Sequence, residues 1–364
     1  MHTIFSDGQI YGFRLGRQTV IQGNFGLFRP DSTVTQSMYR SLLLICLFIP
    51  ALGQAQHDSL LVPTPVPAVS TGANVSALAT QADAFLEMTS TTCLSGVPRS
   101  RKYLLAGTSL LTLGSTYGYL EKRWWSDGYA NFHLDDGRDF RYASNLDKVG
   151  HFLGGAFTAD AYYAGFRWAG MPQRRAEWYA FGATALVQLC IEFKDGYAPN
   201  YGFSWADVAA GTLGGFWPMM QHRSPFLADS QLKISYWKRT NKYWDHRGIV
   251  DIPAFSIDDY INQTYWFSFS PRYFGKPGSA MRRNWPDWLQ LSAGFGLDAD
   301  TWSPTRNGEG GLWEFYLAPD LDLVKLFKPK KPLMRTMLHL LNYIKVPMPT
   351  VQVGPKPKLW WLYF

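Results

Sequence analysis

A change in hydrophobic periodicity near residue 223 divides this chain and limits its possible folds. Between 101 and 222, apolar residues recur at helical spacing. After 223, several segments alternate apolar and polar residues, which is the pattern of half-buried antiparallel strands. The sequence therefore predicts an α+β fold, in which a bundle of about four apolar helices precedes a small antiparallel β-sheet region with a C-terminal helix.

The two patterns predict the individual elements. Helices are expected at 102–120, 146–168, 174–194 and 204–221. Strands are expected at 231–237, 264–270, 289–299, 313–323, 349–354 and 358–364, with a last helix at 333–344. We interpret 101–222 as a helical domain and 223–364 as a β-rich region.

The beginning of the chain carries an export pattern. The segment 38–55, within "MYRSLLLICLFIPALGQAQ", has a basic start, a short apolar run and small residues before a plausible cleavage site, as secretory signal peptides do. The alternative is an N-terminal membrane anchor. Residues 1–37 are then an upstream extension before the true start at Met38, and the Pro- and Ser-rich stretch 56–100 is a linker.

The composition favours a membrane-associated envelope protein. Charged residues make up 17% of the 364 residues, below the value of about 25% for soluble domains, whereas aromatic residues reach 16%. The mean hydropathy of −0.16 argues against a chain built wholly of long apolar spans. The basic run at 325–335 is typical of a segment that approaches anionic head groups or, alternatively, of a solvated loop. No nucleic-acid recognition motif accompanies it, so nucleic acid is not an expected partner.

One face of the second predicted helix has polar residues in its first turns and small residues along the rest. Asp147 and His151 are one turn apart on the same face, and Gly150 and Gly154 share their sector. Small residues let another helix come close. The pattern predicts a polar group at one end of a close helix contact.

The third and fourth helices carry matching polar ends. Gln188, Glu192 and Asp195 share the C-terminal end of the third helix, where the helix dipole disfavours carboxylates, so Lys148, Lys194, His151 or a metal is expected to compensate them. Ser204 and Asp207 have the spacing of a capping box. In an up-and-down bundle these ends meet. The expected cluster is Asp147, Lys148, His151, Gln188, Glu192, Asp195, Ser204 and Asp207.

Three interpretations of this cluster stay open. It is a polar lock between helices, a ligand or metal site, or a catalytic centre with His151 and Glu192 as candidate catalytic residues. Asp147, His151, Glu192 and Asp207 are the candidate ligands of a divalent metal, which is the one cofactor considered. Glu192 is the least easily explained by structure alone, because burying an unpaired carboxylate within "ALVQLCIEF" is costly.

The motifs "DKVGHF", "IEFKDG" and "SWADVAAGTLGG" resemble those of the YfiM-like family of periplasmic lipoproteins and, more distantly, VanZ-like membrane proteins. The resemblance covers about 120–222, and no established activity comes with it. It implies an envelope location and a shared polar site. Two features depart from the pattern: Gly211 stands where VanZ-like proteins tend to have Asn, and a lipoprotein cleavage motif is absent. The matching positions are Asp147, Lys148, His151, Glu192, Asp195, Ser204 and Asp207.

Together these observations predict an exported, periplasm-facing, membrane-associated protein of the cell envelope, with the outer membrane as one location. It would bind a membrane lipid or lipid-linked ligand, or support envelope organisation. The alternative is a metal-dependent or acid/base hydrolase or transferase acting on a lipid-linked or cell-wall substrate, with His151 as general base or metal ligand.

Overall fold

The computed structural model describes residues 98–364, except 127, 249–251, 253–254 and 305–309. The expected extension at 1–37, the signal peptide at 38–55 and nearly all of the linker at 56–100 lie outside the described residues. The described chain is a mixed α+β structure, with several helices followed by a six-stranded antiparallel sheet. The predicted α+β class is confirmed.

The first half is helical. Its helices are α1 (Arg99–Arg123), α2 (Leu146–Trp168), α3 (Gln173–Asp195), α4 (Trp205–Gly214) and α5 (Trp217–Arg223). The prediction of one continuous helix at 204–221 was wrong, because the chain breaks between α4 and α5. Pro218 lies in the first turn of α5, where proline is tolerated, and it could not donate the backbone hydrogen bond of a continuous helix. Among the described residues, no helix is both long and apolar enough to span a membrane.

Helix α2 packs against both α3 and α4, and glycines make its contact with α4 close. A Cβ atom added to Gly155 would lie 1.9 Å from the carbonyl oxygen of Gly211, and one added to Gly214 would lie 2.0 Å from that of Phe152. Gly154, which the sequence placed in the contact stripe, has open space around it. The close contact therefore lies one residue further along α2 than expected.

The second half contains the sheet and several short helices. Its elements are α6 (Pro225–Ala228), β1 (Gln231–Tyr236), α7 (Lys242–His246), β2 (Gln263–Phe269), α8 (Ala280–Asn284), β3 (Leu289–Leu297), β4 (Trp313–Leu321), α9 (Leu323–Phe327), α10 (Pro332–Leu341), β5 (Met348–Gly354) and β6 (Lys358–Tyr363). The strands pair in sequence order, each antiparallel to the next.

The polarity of β3, β4 and β5 is reversed relative to an ordinary half-buried sheet. In β3 the polar residues Gln290 and Ser292 are buried, while Leu291 and Ala293 between them are exposed. The alternation follows the prediction, but the polar side faces inward. The sheet curls so that its inner residues meet across it, as shown by the 2.8 Å contact between the hydroxyls of Thr264 in β2 and Tyr363 in β6.

The outer faces of β1 and β2 are covered by helices. Leu146 at the start of α2 packs with Tyr265 of β2. Further along, Ala156 of α2 forms a second apolar cluster with Trp217 and Tyr343. These clusters tie the helical and β-rich regions together and fix the start of α2 against the sheet.

Candidate functional site

A tight turn leads the chain into α2 at the position where the polar residues begin. Ala143, Ser144 and Asn145 all have positive φ angles, of 45°, 53° and 65°. Non-glycine residues adopt this region at an energetic cost, and strained residues of this kind cluster at active sites, ligand clamps and switch regions. The turn is buried at Ala143 and Ser144, so the start of α2 is held firmly.

Lys148 lies at the centre of the polar cluster. Its Nζ atom is 3.0 Å from Oδ2 of Asp147 and 2.8 Å from Oδ1 of Asp207 on α4. It also contacts Oδ1 of Asp139, in the loop before α2, at 2.5 Å. One ammonium group therefore joins three carboxylates from three different parts of the chain.

His151 lies one turn beyond Asp147 and faces α3. Its Nδ1 atom is 3.0 Å from Oε1 of Gln188, and its Nε2 atom is 3.8 Å from Oε1 of Glu192 and 3.9 Å from Oδ1 of Asp207. The imidazole is thus oriented by an amide on one side and faces two carboxyl groups on the other.

Ser204 connects the ends of α3 and α4. Its backbone N–H donates to Oε2 of Glu192 at 3.1 Å, and its hydroxyl accepts the backbone N–H of Asp207 at 3.2 Å. The hydroxyl also donates to Asp139. The expected N-cap hydrogen bond to the Ser204 hydroxyl is therefore present. The second hydrogen bond of a capping box, from the Ser204 backbone N–H to the Asp207 side chain, is replaced: that N–H donates to Glu192, and the Asp207 side chain contacts Lys148.

Asp195 lies at the edge of the cluster. It accepts a hydrogen bond from the indole N–H of Trp125, which follows α1. Lys194 pairs with Glu121 rather than with the cluster: its Nζ atom lies 3.0 Å from Glu121 and 4.0 Å from the ring centre of Tyr129. Its charge nevertheless acts to lower the pKa of Asp195, against the stronger effect of burial.

The structure thus brings together every residue of the expected cluster and adds Asp139. We call this set the acidic centre: Asp139, Asp147, Lys148, His151, Gln188, Glu192, Asp195, Ser204 and Asp207. Asp139 was missed as a member, although it belongs to the acidic loop "HLDDGRDF". The signal in that loop was its charge, but nothing in the local pattern indicated which of its aspartates turns inward.

Burial sets the protonation of the acidic centre. It raises the pKa of Glu192 to about 10, assisted by the charges of Asp195 and Asp207. Burial and the charge of Asp207 raise the pKa of Asp147 to about 8, and burial raises the pKa of Asp195 to about 7. The pKa of Asp207 is raised as well.

Asp139 behaves differently from the other carboxyl groups. Burial acts to raise its pKa, but hydrogen bonds from Lys148 and Ser204 outweigh that effect and lower it. The centre therefore holds carboxylic acids that keep their protons near neutral pH beside a carboxylate that is ionised. Such a difference between neighbouring acids is a common feature of functional sites.

Three members of the acidic centre have the geometry of a metal site. One ligand atom from each of His151, Glu192 and Asp207 lies within 4.8 Å of the others. Two ligands of one zinc ion, each about 2.1 Å from it, are separated by somewhat less, so the group fits a divalent ion after a small inward movement. Asp139, Asp147 and Asp207 form a similar group, but the Lys148 ammonium already contacts all three.

The fold and the site define a class: an α+β protein with a buried acidic centre at the junction of three helix ends. Comparisons with protein-family models, curated proteins and solved structures found no match to this chain. The resemblance to YfiM-like and VanZ-like proteins therefore stays a prediction.

Proposed function

We propose that this protein is an exported, membrane-associated component of the cell envelope that binds a lipid or lipid-linked ligand through the acidic centre. The observation that carries the proposal is the reversed polarity of α3. Its buried residues include Gln188, Glu192 and Asp195, whereas Leu186 and Phe193 are 60% and 53% exposed. A helix with a polar inner face and an apolar outer face suits apolar surroundings.

The sheet supports the same environment. On β4, exposed Phe315 and Leu317 alternate with buried Glu314 and Tyr316, and Trp361 on β6 is 81% exposed. Large apolar side chains at the surface of both regions favour contact with lipid. In this proposal the helices form the apolar bundle expected from the sequence, with its outer face against lipid.

The ligand's polar group is expected at the edge of the acidic centre. The side chains of Lys148, His151 and Asp139 keep 16%, 18% and 13% of their surface exposed, whereas Glu192 keeps 3%. Carboxyl oxygens accept hydrogen bonds from hydroxyl or amine groups, and Lys148 donates them. A lipid-linked ligand with hydroxyl or amine groups fits this edge.

Cell fractionation of the full chain tests the location. The protein is expected in the membrane fraction, released by detergent but retained in high salt, with its mature N-terminus at Gln56. A double change of Leu186 and Phe193 to Ser should release it partly, whereas the same change at the exposed residues Leu134 and Phe140 of the loop before α2 serves as the control. Recovery of the full chain in the soluble fraction, or retention of residues 1–37, would contradict the proposal.

A second candidate is a metal-dependent hydrolase or transferase, favoured by the positions of His151, Glu192 and Asp207. A bound divalent ion there would activate water or polarise a substrate oxygen. Metal content should be measured in the detergent-extracted full chain, in His151→Ala and in His222→Ala, whose imidazole pairs with Glu177 outside the centre. Near-stoichiometric metal that His151→Ala alone removes supports this candidate, and metal-free protein in all three argues against it.

A further inference from the structure

Two loops rich in exposed cations lie together at one end of the sheet. The first connects β2 to β3 and carries Lys276, Arg282 and Arg283. The second follows β4 and carries Lys328, Lys330 and Lys331. All six side chains belong to exposed residues. We call these six residues the basic rim.

The structure fixes the two loops side by side. Asp229 pairs both with Arg272 of the first loop and with Lys325 of the second. The backbone N–H of Asp322 donates to the carbonyl of Trp288 at 2.8 Å, and Leu289 and Leu321 are register partners. The two groups of cations therefore form one surface, although about 45 residues separate them in sequence.

The charge of this surface is not balanced locally. Among the described residues, no member of the basic rim forms an ion pair with a carboxylate. The sequence from 323 to 364 contains no Asp or Glu at all. The carboxylates nearest to the rim, Asp229 and Asp287, pair with Arg272 and Lys325, which are not rim members. The six rim cations therefore leave a net positive surface, which favours an anionic partner.

Exposed apolar side chains are interleaved with these cations. Phe274 and Met281 lie in the first loop, and Phe327 and Met334 flank the second group; Phe274 is 67% exposed and Phe327 64%. Cations beside exposed aromatic and aliphatic groups suit the boundary between phosphate head groups and lipid chains. The sheet's own exposed apolar surface starts close to the rim. Leu291 and Leu317 lie within four residues of the Leu289–Leu321 pair, where β3 and β4 meet the two loops.

From this placement we propose that the basic rim docks on the surface of a bilayer containing anionic phospholipid, with Phe274 and Phe327 entering the head-group region. The inference rests on the proposed membrane association and specifies the surface and the lipid charge. A nucleic acid would match the charge but would leave the interleaved apolar side chains without a partner.

Vesicle flotation of the full chain tests the inference. Vesicles of phosphatidylcholine alone are compared with vesicles that also contain phosphatidylglycerol. The wild-type chain should bind the anionic vesicles at least about tenfold more tightly, because each Lys or Arg near such a surface contributes several-fold to binding. High salt should reduce this preference, since the rim is exposed.

The decisive variant changes Lys328, Lys330 and Lys331 to Gln, and its control changes the exposed cations Lys102, Lys122 and Arg174 of the helical region to Gln. Thermal unfolding should be the same for both. The rim variant is expected to lose most of the preference for anionic vesicles, and the control is expected to keep it.

The outcomes separate this inference from the proposed function. Equal binding of the wild-type chain to both vesicles would overturn the docking surface and leave membrane association standing. No binding to either vesicle would overturn both. An unchanged preference in the rim variant, an equal loss in the control, or tighter binding to an RNA oligonucleotide than to anionic vesicles would overturn the docking surface.

Discussion

The helical region and the sheet each bury a cluster of charged residues, but the two clusters are built differently. Inside the sheet, Lys233 lies 3.0 Å from Asp320 and donates to the carbonyl of Leu321, and Lys345 donates to the carbonyl of Pro319. The acidic centre instead gathers five carboxyl groups around one lysine and one histidine. Buried charge that is paired and hydrogen-bonded holds a fold together, whereas buried acid in excess requires a proton or a bound cation.

The hydrogen bonds of individual carboxyl oxygens also differ between the two clusters. Asp320 receives hydrogen bonds from Ser268 and Ser292 in addition to its lysine, so its oxygens are satisfied. In the acidic centre, Oδ1 of Asp147 is buried without a hydrogen-bond partner among the described residues. The oxygens of Asp320 are therefore paired throughout, whereas the acidic centre keeps a buried carboxyl oxygen without a hydrogen bond from the described part of the chain.

Among changes in the acidic centre, replacing Lys148 by Met should give the largest loss of stability, because it leaves Asp139, Asp147 and Asp207 close together without their ammonium group. The free energy of unfolding should fall by about 3–5 kcal/mol. Lys233→Met should cost less, about 1–3 kcal/mol, since Lys345 remains 3.5 Å from Asp320. Thermal unfolding in detergent measures both, with exposed Lys122→Met as a control. A larger loss for Lys233→Met would reverse the distinction drawn between the clusters.

The sequence predicted those features of the two clusters that depend on the spacing of residues along one helix or strand. Helical periodicity and the capping pattern placed Asp147, Glu192 and Asp207 at helix ends, and antiparallel connection brought those ends together. The sequence pattern could not place Asp139 in the acidic centre, because a loop has no periodicity that fixes the direction of a side chain. The buried polar face of the sheet was also missed: alternation separates the two faces of a strand, but which face is covered depends on the curl of the whole sheet.

The two clusters should respond to pH with opposite sign. The raised pKa values of Glu192, about 10, and Asp147, about 8, mean that the folded state keeps protons that the unfolded state releases above about pH 4.5. Stability should therefore fall as pH rises from about 5 towards 8, by up to about 1.4 kcal/mol per unit for each group.

Lys345 contributes in the other direction. Burial lowers its pKa from 10.5 to about 8, so between these values the unfolded state binds more protons and stability from this group rises with pH. Unfolding should be measured in chelator from about pH 5 to about pH 10.5 for the wild-type chain, Glu192→Gln and Lys345→Met. Glu192→Gln should flatten the fall. Lys345→Met should reduce the rise, and the remainder is expected from Lys233, whose pKa burial also lowers. A wild-type chain that gains stability between about pH 5 and 8 would contradict the assignment to the acidic centre.

Gly155→Ala tests whether the acidic centre depends on the close approach of α2 and α4. The added methyl group would meet the carbonyl oxygen of Gly211, so the helices must separate, at a cost of about 1–3 kcal/mol. Gly154→Ala is the matched control, because nothing lies within 4 Å of its Cβ position and alanine favours the helix by up to about 1 kcal/mol. Equal effects of the two changes on thermal unfolding would show that this contact does not hold the centre together.

Glu192→Gln should have the smallest effect on stability and the most informative effect on function. Because Glu192 is protonated at neutral pH, an amide of the same shape should change the free energy of unfolding by less than about 1 kcal/mol, whereas Asp320→Asn should cost about 3–5 kcal/mol. If Glu192→Gln matches the wild-type chain in thermal unfolding but loses metal or ligand binding, the carboxyl group serves binding or catalysis. If stability falls as far as in Asp320→Asn, Glu192 is ionised and paired, and the acidic centre is a polar lock like the cluster in the sheet.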